Sequence, residues 1–325
     1  MKRYFFFALI MMAFSVGLYY FLSQDIQSVS RIALVIGNGE YENVQGSSQF
    51  VHNAKDITYA LEKLDFKVIF QPNATFSQLN QNIRQFRNQS KKSELAIVYY
   101  TGYAAQWQNR NYLLATDTDL SSHKDVATQG FEISKILEVL AQNNATNLLI
   151  LDASQISPYH KQLPDLKLGL AEMESPRNTL IAYAAKPNTP AQTHSEQRNT
   201  IYTRYLFNNL QQYADKKIID LFIKTRQQVA NNTTSLTQQY QIPWESHSLL
   251  NNFCFKSCQG NAIAKIKTVE LNNLLFLWAG WETAAQKGSP IQWETIRADD
   301  VGRTKWKDFG YAFYRTGQVY TAPIE

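Results

Sequence analysis

The chain has 325 residues, of which 44% are hydrophobic and 18% charged, a balance typical of a folded protein and not of a disordered one. Its net charge is +5, and Lys and Arg are scattered along the chain, so no basic stripe predicts a nucleic-acid partner. We divide the sequence into a membrane anchor with a linker at 1–30, a main domain at 31–258 and a C-terminal element at 259–325.

The N-terminal segment predicts a membrane anchor. Lys2 and Arg3 precede residues 4–22, an uncharged apolar run that is long enough to cross a bilayer as one helix. Because the run is long and lacks an obvious cleavage site, we favour an uncleaved anchor; secretion after signal cleavage is the alternative. The two positive charges place the N-terminus in the cytoplasm and the bulk of the chain outside it. In a bacterium this topology predicts a single-pass inner-membrane protein with a periplasmic domain.

Strands alternate with helices through the main domain. Short β-branched apolar runs predict strands, and apolar residues at three- to four-residue spacing predict helices. The predicted strands are 32–38, 66–70, 95–100, 148–151 and 179–183, with an extended piece at 111–114. The predicted helices cover 57–64, 79–86, 133–140, 202–213 and 218–230. Thr75 or Ser77 is a candidate cap for the second helix. The alternation predicts a mostly parallel, wound α/β sheet with functional residues at the carboxyl ends of its strands.

The chain has two cysteines, Cys254 and Cys258. An exported domain permits a disulfide between them, and two free thiols are the other interpretation. Zinc needs about four ligands, and no His pair lies nearby at ligand spacing, so we predict no metal site.

The C-terminal residues 259–325 differ from the rest in composition. We predict an aromatic-rich helical element there, with a helix around Leu271–Ala285. Its aromatic side chains form either a small core or a partner surface. They are Trp278, Trp281, Trp293, Trp306, Tyr311 and Tyr314.

Six segments of the main domain occur in an order that points to a known family. They are Arg31–Asn38, Tyr99–Ala104, Arg110–Leu114, Leu151–Gln155, Asn178–Ala184 and Pro243–Ser246. Together they resemble the bacterial caspase-like proteases of the metacaspase and orthocaspase group, with a peptidase C14-like domain. The resemblance covers about Arg31 to Phe255 and implies a caspase-like three-layer sandwich with a mostly parallel central sheet.

The resemblance also implies where the catalytic residues of such a protease would lie. A thiolate attacks the peptide carbonyl, and an imidazole holds the thiolate and protonates the leaving amine. Tyr103 stands at the position of the family's His, and Ser154 stands about 50 residues later at that of the Cys, the separation found in caspases. A phenol with a pKa near 10 is a poor base, and a serine hydroxyl depends on an adjacent base. We therefore expect no catalytic residue and no cofactor.

Four residues near these positions are candidates for binding. Ala104 replaces the second Gly of the family's Gly-His-Gly, and its backbone N–H can still line an oxyanion hole. Asn53 stands where the family has an Asp of an acidic pocket for basic side chains, whereas Asp152, the other acid, is kept. Asp56 lies one helical turn further along and does not replace Asn53. Gln155 follows the Cys position. One acid in place of two selects Arg or Lys less strongly.

These observations favour a membrane-anchored pseudoprotease that binds a peptide or protein as a scaffold or regulator in a membrane-associated complex. The alternative is a hydrolase that uses Ser154 with another base, for which His123, His160 and His194 are candidates. A third possibility is that the C-terminal element alone does the binding. Tyr103 also fits simple packing at a strand end.

Overall fold

The computed structural model describes residues 31–143, 145–192, 196–237 and 240–256, and the C-terminal strands given below. The chain divides into two units, Met1–Lys256 and Ser257–Glu325, two residues before the boundary that the sequence predicts.

Strands and helices alternate in the first unit. The strands are β1 (Arg31–Gly37), β2 (Lys67–Pro72), β3 (Leu95–Thr101), β4 (Ala104–Trp107), β5 (Arg110–Leu113), β6 (Phe131–Glu132), β7 (Thr146–Asp152), β8 (Thr179–Tyr183) and β9 (Trp244–His247). The helices are α1 (Ser48–Glu62), α2 (Phe76–Ser90), α3 (Asp125–Gln129), α4 (Ser134–Ala141), α5 (Ile201–Gln212) and α6 (Ile218–Thr237).

A six-stranded sheet in the order β2-β1-β3-β7-β8-β9 forms the middle layer. Its pairs are parallel except for β8 and β9, which are antiparallel. Alternate residues of β1 face opposite sides: Ile32, Leu34 and Ile36 pack with α2 and α4, whereas Ala33 and Val35 pack with α1, α5 and α6. The predicted three-layer sandwich with a mostly parallel sheet is therefore confirmed.

Local sequence explains where these elements begin and why they are buried. β3 is buried along its whole length and β1 and β7 along all but their first residue, which is typical of central strands covered by helices on both faces. Helix α2 begins with a capping box in which Gln78 N–H donates to Thr75 Oγ1 at 3.3 Å and Thr75 N–H donates to Gln78 Oε1 at 2.9 Å. Of the two predicted caps, Thr75 is therefore the correct one.

A small antiparallel sheet, β4-β5-β6, follows the end of β3. Its first hairpin turns at Gln108 and Asn109, whose φ angles of 50° and 61° suit a two-residue hairpin turn. Two amide side chains on this hairpin hold the connection between β7 and β8. Gln106 Nε2 donates to the Leu168 carbonyl at 3.2 Å, and Asn111 exchanges hydrogen bonds of 2.7 and 2.8 Å with the backbone of Ala171.

The second unit contains strands where the sequence predicts a helix. It contains an antiparallel pair, β10 (Lys265–Leu271) with β11 (Leu274–Gly280). It also contains a sheet of β12 (Arg303–Trp306), β13 (Gly310–Arg315) and β14 (Gln318–Ala322). Where residues 259–325 are described they are therefore strands, and the predicted helix around Leu271–Ala285 is not found among them. The consecutive apolar residues of Leu274–Trp278 carry no helical period, and a run of that length suits a strand.

The predicted membrane anchor and the possible disulfide both involve residues that the structure does not describe. Among them no helix is both long and apolar enough to span a bilayer, and the predicted anchor at 4–22 lies outside them. Cys254 is disulfide-bonded, and Cys258 lies outside the described residues.

Candidate functional site

The sheet brings the two predicted dyad positions to neighbouring strand ends. β3 and β7 are adjacent and parallel, and their register pairs Thr101 with Asp152. Gly102 N–H extends the ladder by donating to the Asp152 carbonyl at 3.4 Å. Tyr103 and Ser154 each follow the paired residues by two positions, so both lie at the carboxyl edge of the sheet.

Tyr103 is held as a packing residue at this edge. Its ring lies 4.9 Å from the ring of Tyr41 and 5.3 Å from that of Phe50, measured between centroids. Its hydroxyl donates to the Gln45 carbonyl at 3.1 Å, and its backbone N–H donates to Tyr41 Oη at 2.8 Å. Burial raises the pKa of Tyr103 above its ordinary value, so the phenol stays protonated near neutral pH. This side chain is not available as a general base.

Ser154 is buried, with 1% of its surface exposed. Its Oγ has no hydrogen-bond partner among the described residues, and its carbonyl accepts from Ala191 N–H at 2.9 Å. A serine nucleophile needs a base within hydrogen-bond reach. In the described part of the chain the hydroxyl has none.

Two of the three histidines that the sequence offers as alternative bases are engaged elsewhere. The ring of His123 stacks on Trp107, with 5.3 Å between the centroids. His160 Nδ1 lies 3.0 Å from the carbonyl oxygen of Ser157. His194 lies outside the described residues. Neither described histidine forms a hydrogen bond with the nucleophile position.

Asp152 is the centre of a buried hydrogen-bond network and has no exposed surface. Its Oδ2 accepts from Thr203 Oγ1 at 2.6 Å, from Asn53 Nδ2 at 3.3 Å and from the hydroxyl of Thr200. Its Oδ1 accepts from Gln155 Nε2 at 3.0 Å. All four donors are neutral, so both carboxylate oxygens are satisfied without a cation.

The electrostatics of this carboxylate combine burial with a helix terminus. Burial raises the pKa of Asp152, and the hydrogen bonds from Thr200, Thr203 and Gln155 oppose that shift. Thr200 is also the N-cap of α5, where its Oγ1 accepts from Thr203 N–H at 3.3 Å. The carboxylate therefore lies at the positive end of the α5 dipole, which stabilises an anion.

Asn53 closes the same network from α1. Its Nδ2 lies 3.1 Å from Thr101 Oγ1 and 3.0 Å from Thr200 Oγ1, so its two hydrogens are shared among these oxygens and Asp152 Oδ2, while its Oδ1 accepts from Thr200 N–H at 3.1 Å. Thr203, which also donates to Asp152, continues the network to Tyr99, and the two hydroxyl oxygens are 2.5 Å apart. Asn53 is fully buried, and its side chain points into the network and not to solvent.

Two further residues are placed apart from this network. Ala104 is buried at the start of β4 and pairs with Leu113. Asp56 forms an ion pair with Arg198, with 2.7 Å between Asp56 Oδ1 and Arg198 Nη2, and also accepts from Asn199 Nδ2 at 2.9 Å. Of the four predicted binding residues, the structure thus joins Asn53, Asp152 and Gln155 and leaves Ala104 outside.

Sequence reasoning missed Thr200 and Thr203. A Thr just ahead of an apolar helical pattern is a typical N-cap signal, and that signal finds Thr200. Its contact with Asp152, 48 residues away, has no local signal. The donors that fill the network therefore become visible only in the folded chain.

Within the described residues the site offers no nucleophile paired with a base. No group of three His, Cys, Asp or Glu side chains suited to a metal ion occurs among them either. What the site does offer is the fully buried carboxylate of Asp152, which lies where β3 and β7 end and α5 begins.

Comparison with known proteins gives this architecture a family. A caspase-domain family model matches residues 30–254, so the chain belongs to the caspase-domain family, as its sequence motifs predict. The crystal structure of Caspase-1 from Spodoptera frugiperda is similar, with 15% identity, a TM-score of 0.52, and coverage of 73% of this chain and 94% of that one. The Drosophila initiator caspase Dronc gives 15% identity and a TM-score of 0.52 over 71% of this chain and 85% of that one. A search of curated proteins finds no match.

Proposed function

We propose that this chain is a membrane-anchored caspase-domain protein that binds a peptide or protein partner and does not hydrolyse peptide bonds. The observation that carries the proposal is the state of Tyr103, which stands at the family's general-base position. Its hydroxyl is committed to Gln45, and its ring is packed between Tyr41 and Phe50.

Proton transfer is the step that fails in this site. Cleavage requires a base that activates the nucleophile and then protonates the leaving amine. A buried phenol with a raised pKa does neither near neutral pH. Ser154 Oγ has no base within reach in the described part of the chain, so its hydroxyl stays un-ionised.

The state of the acid pocket supports the same proposal. A basic substrate side chain needs an accessible carboxylate with free lone pairs. Asp152 is fully buried and already accepts four hydrogen bonds, and Asn53 beside it carries no charge. A chain that neither transfers protons nor admits a basic side chain can still bind a partner through its surface.

The anchor and the loops fit a role in a membrane-associated complex as a scaffold or regulator. The apolar run at 4–22 would fix the caspase domain to the inner membrane on its periplasmic side. Ile156, two residues beyond the nucleophile position, exposes 51% of its surface at the edge of the sheet where Tyr103 and Ser154 lie. Ile156 is therefore an accessible position at which contact with a partner can be tested.

The first experiment tests the absence of catalysis. The full chain in detergent is treated with a fluorophosphonate probe and with peptides carrying Arg or Lys. Ser154→Ala is compared with Ser157→Ala, a matched serine in the same loop. We expect no labelling of Ser154 and no cleavage. Labelling or cleavage that disappears in Ser154→Ala and persists in Ser157→Ala would establish the hydrolase alternative.

The second experiment tests binding at this edge. A photo-crosslinking residue is placed at Ile156, and a matched control is placed at Tyr59 on α1, which is 53% exposed. Irradiation of the native membrane is expected to yield one reproducible protein adduct from position 156 and none from position 59. Equal adducts from both positions, or none from either, would contradict binding at the carboxyl edge.

A further inference from the structure

The first residues of the parallel strands form the edge of the central sheet opposite to Tyr103 and Ser154. The register pairs Arg31 of β1 with Leu95 of β3, and Leu95 with Thr146 of β7. The connections that lead into these strands lie at the same edge, and so does the end of β9, which runs antiparallel to β8. We call this surface the amino edge.

Arg31 joins three segments of the chain at the amino edge. Its Nη1 donates to the Leu64 carbonyl at 3.1 Å and to the Phe255 carbonyl. The next residue, Lys256, donates from its backbone N–H to the Ala214 carbonyl at 2.7 Å, so the connection between α5 and α6 also lies there. The start of β1 is therefore fixed among the loops of this edge.

The exposed charge of the amino edge is mostly basic. The exposed basic residues there are Lys63, Lys67, Lys91, Lys92, Arg177, Lys216, Lys217 and Lys256. The acidic residues there are Glu62, Asp65 and Glu94, which are exposed, and Asp215, which is half-buried. Lys67, Lys92 and Arg177 form no ion pair with any described residue. Their charges are therefore accessible to a partner outside the domain.

Helix stability explains only part of this basic surface. Lys63, Lys91 and Lys92 follow the last residues of α1 and α2, where cations complement the helix dipole. Arg177 follows no helix, and Lys217 directly precedes the first residue of α6, where the dipole disfavours a cation. These two charges indicate a role outside the helices.

Leu250 adds an apolar side chain to the amino edge. It lies in the loop after β9 and exposes 58% of its surface. Its N–H donates to Asn178 Oδ1 at 3.2 Å, which places it beside the start of β8. An apolar side chain among basic ones suits the boundary between lipid headgroups and acyl chains.

The opposite edge carries charge of the other sign next to the candidate site. The loops after β1 and β5 expose the acids Glu40, Glu42, Asp117 and Asp119. An anionic surface therefore attracts the amino edge and repels these loops.

The predicted anchor brings a membrane close to the amino edge. The anchor ends at residue 22, and β1 begins at Arg31. The residues between them span at most about 28 Å, at about 3.5 Å per residue. β1 adds about 23 Å before the chain reaches the opposite edge. The amino edge is thus the side of the sheet held nearest to the bilayer, where anionic lipids attract Lys and Arg.

We propose that the amino edge is a docking surface for anionic phospholipid headgroups. The domain then stands on the bilayer with Tyr103 and Ser154 facing away from it. The inference deepens the proposed function and rests on its membrane anchor. It does not depend on the absence of catalysis or on binding at Ile156.

The test compares how close the two edges lie to lipid. The full chain is reconstituted into nanodiscs of phosphatidylcholine, alone or with an equal share of phosphatidylglycerol. A nitroxide on the headgroup of a trace lipid quenches nearby fluorescence. A fluorescent non-canonical amino acid replaces Gln142, in the connection between α4 and β7, or Ile156 at the opposite edge, both of which are exposed. This label leaves the disulfide of Cys254 intact.

We expect quenching in the anionic discs to be at least about threefold stronger at position 142 than at position 156, and to fall at position 142 in about 1 M salt, where the Debye length is about 3 Å. The triple variant Lys67→Gln/Lys91→Gln/Lys92→Gln should cause the same fall. The matched control Lys124→Gln/Lys161→Gln/Lys186→Gln removes as much charge from exposed lysines in the segments after β5, β7 and β8, and it should not. If the first variant does not fold, Lys91→Gln/Lys92→Gln takes its place with the same criteria.

Equal quenching at both positions in the anionic discs would overturn the proposal. So would quenching at position 142 that ignores lipid charge, salt and the first triple variant, because the tether alone would then explain it. A chain that leaves both kinds of disc would overturn the anchor and this proposal together. Stable insertion with equal quenching would overturn the docking surface alone and leave the proposed function standing.

Discussion

Replacing Asp152 by alanine removes the acceptor on which four buried donors converge. Thr203 retains Tyr99 as a hydrogen-bond partner, and Asn53 retains Thr101. The hydroxyl of Thr200 and the amide of Gln155 lose the acceptor that satisfies them, and each buried unpaired donor costs about 1–3 kcal/mol. Because Gln155 borders solvent and recovers part of its loss, we expect Asp152→Ala to lower the free energy of unfolding by about 3 kcal/mol.

Asp152→Asn separates charge from hydrogen bonding. The new amide oxygen can replace Oδ2, and its NH₂ group can face Gln155 once that side chain reverses its own amide and presents Oε1. The network then stays satisfied and only the charge is lost. We expect the free energy of unfolding of Asp152→Asn to stay within about 1 kcal/mol of the native value.

The difference in free energy of unfolding between the native chain and Asp152→Asn should change with pH in a definite direction. Burial raises the pKa of Asp152 in the folded chain above its usual value of 3.8. A raised pKa means that the protonated form favours folding, so this contribution is present below about pH 4 and is lost as the pH rises through the folded pKa. The native chain should therefore lose stability relative to Asp152→Asn as the pH rises. Urea denaturation of the full chains between about pH 4 and pH 8 measures the difference. A difference that stays constant with pH, or Asp152→Ala within about 0.5 kcal/mol of native, would refute this reasoning.

Four further substitutions test the fold by the same denaturation assay. Gly37→Ala should cost about 3 kcal/mol because the new Cβ would lie 2.6 Å from a backbone oxygen of α1, and a loss below about 1 kcal/mol would contradict that packing. Thr75→Ala should cost about 1 kcal/mol, whereas Ser77→Ala should be close to neutral; equal losses would contradict the capping assignment. Glu245→Gln should cost about 2 kcal/mol, since Glu245 is almost buried and its partner Arg226 is partly exposed, and no change would mean that the pair contributes nothing.

Much of the fold follows from the apolar pattern of the sequence. β1, β3 and β7 are continuous apolar runs because helices cover both faces of the central sheet, and such runs are readable without a structure. β4 and β6 were not predicted, since segments of four and two residues contain too little periodicity. The C-terminal strands are hard to distinguish from a helix because their apolar residues are consecutive and follow neither a helical nor an alternating period.

The candidate site divides in the same way. The positions of Tyr103 and Ser154 follow from strand ends and motif order, which are properties of the sequence. The burial of Asp152 does not, because it depends on Thr200 at the start of α5 reaching Asp152 at the end of β7. Residue types alone are compatible with an acidic pocket that has lost one of its two acids, whereas the packing of α5 against the sheet surrounds Asp152 with neutral hydrogen-bond donors.

Tyr103 also ties the candidate site to a loop on another part of the domain. Its hydroxyl cross-links the end of β3 to the loop before α1, and its ring contacts Tyr41 and Phe50. An imidazole is shorter than a phenol, so Tyr103→His would forfeit that cross-link. The conformation of the loop before α1 is therefore coupled to the side chain at position 103.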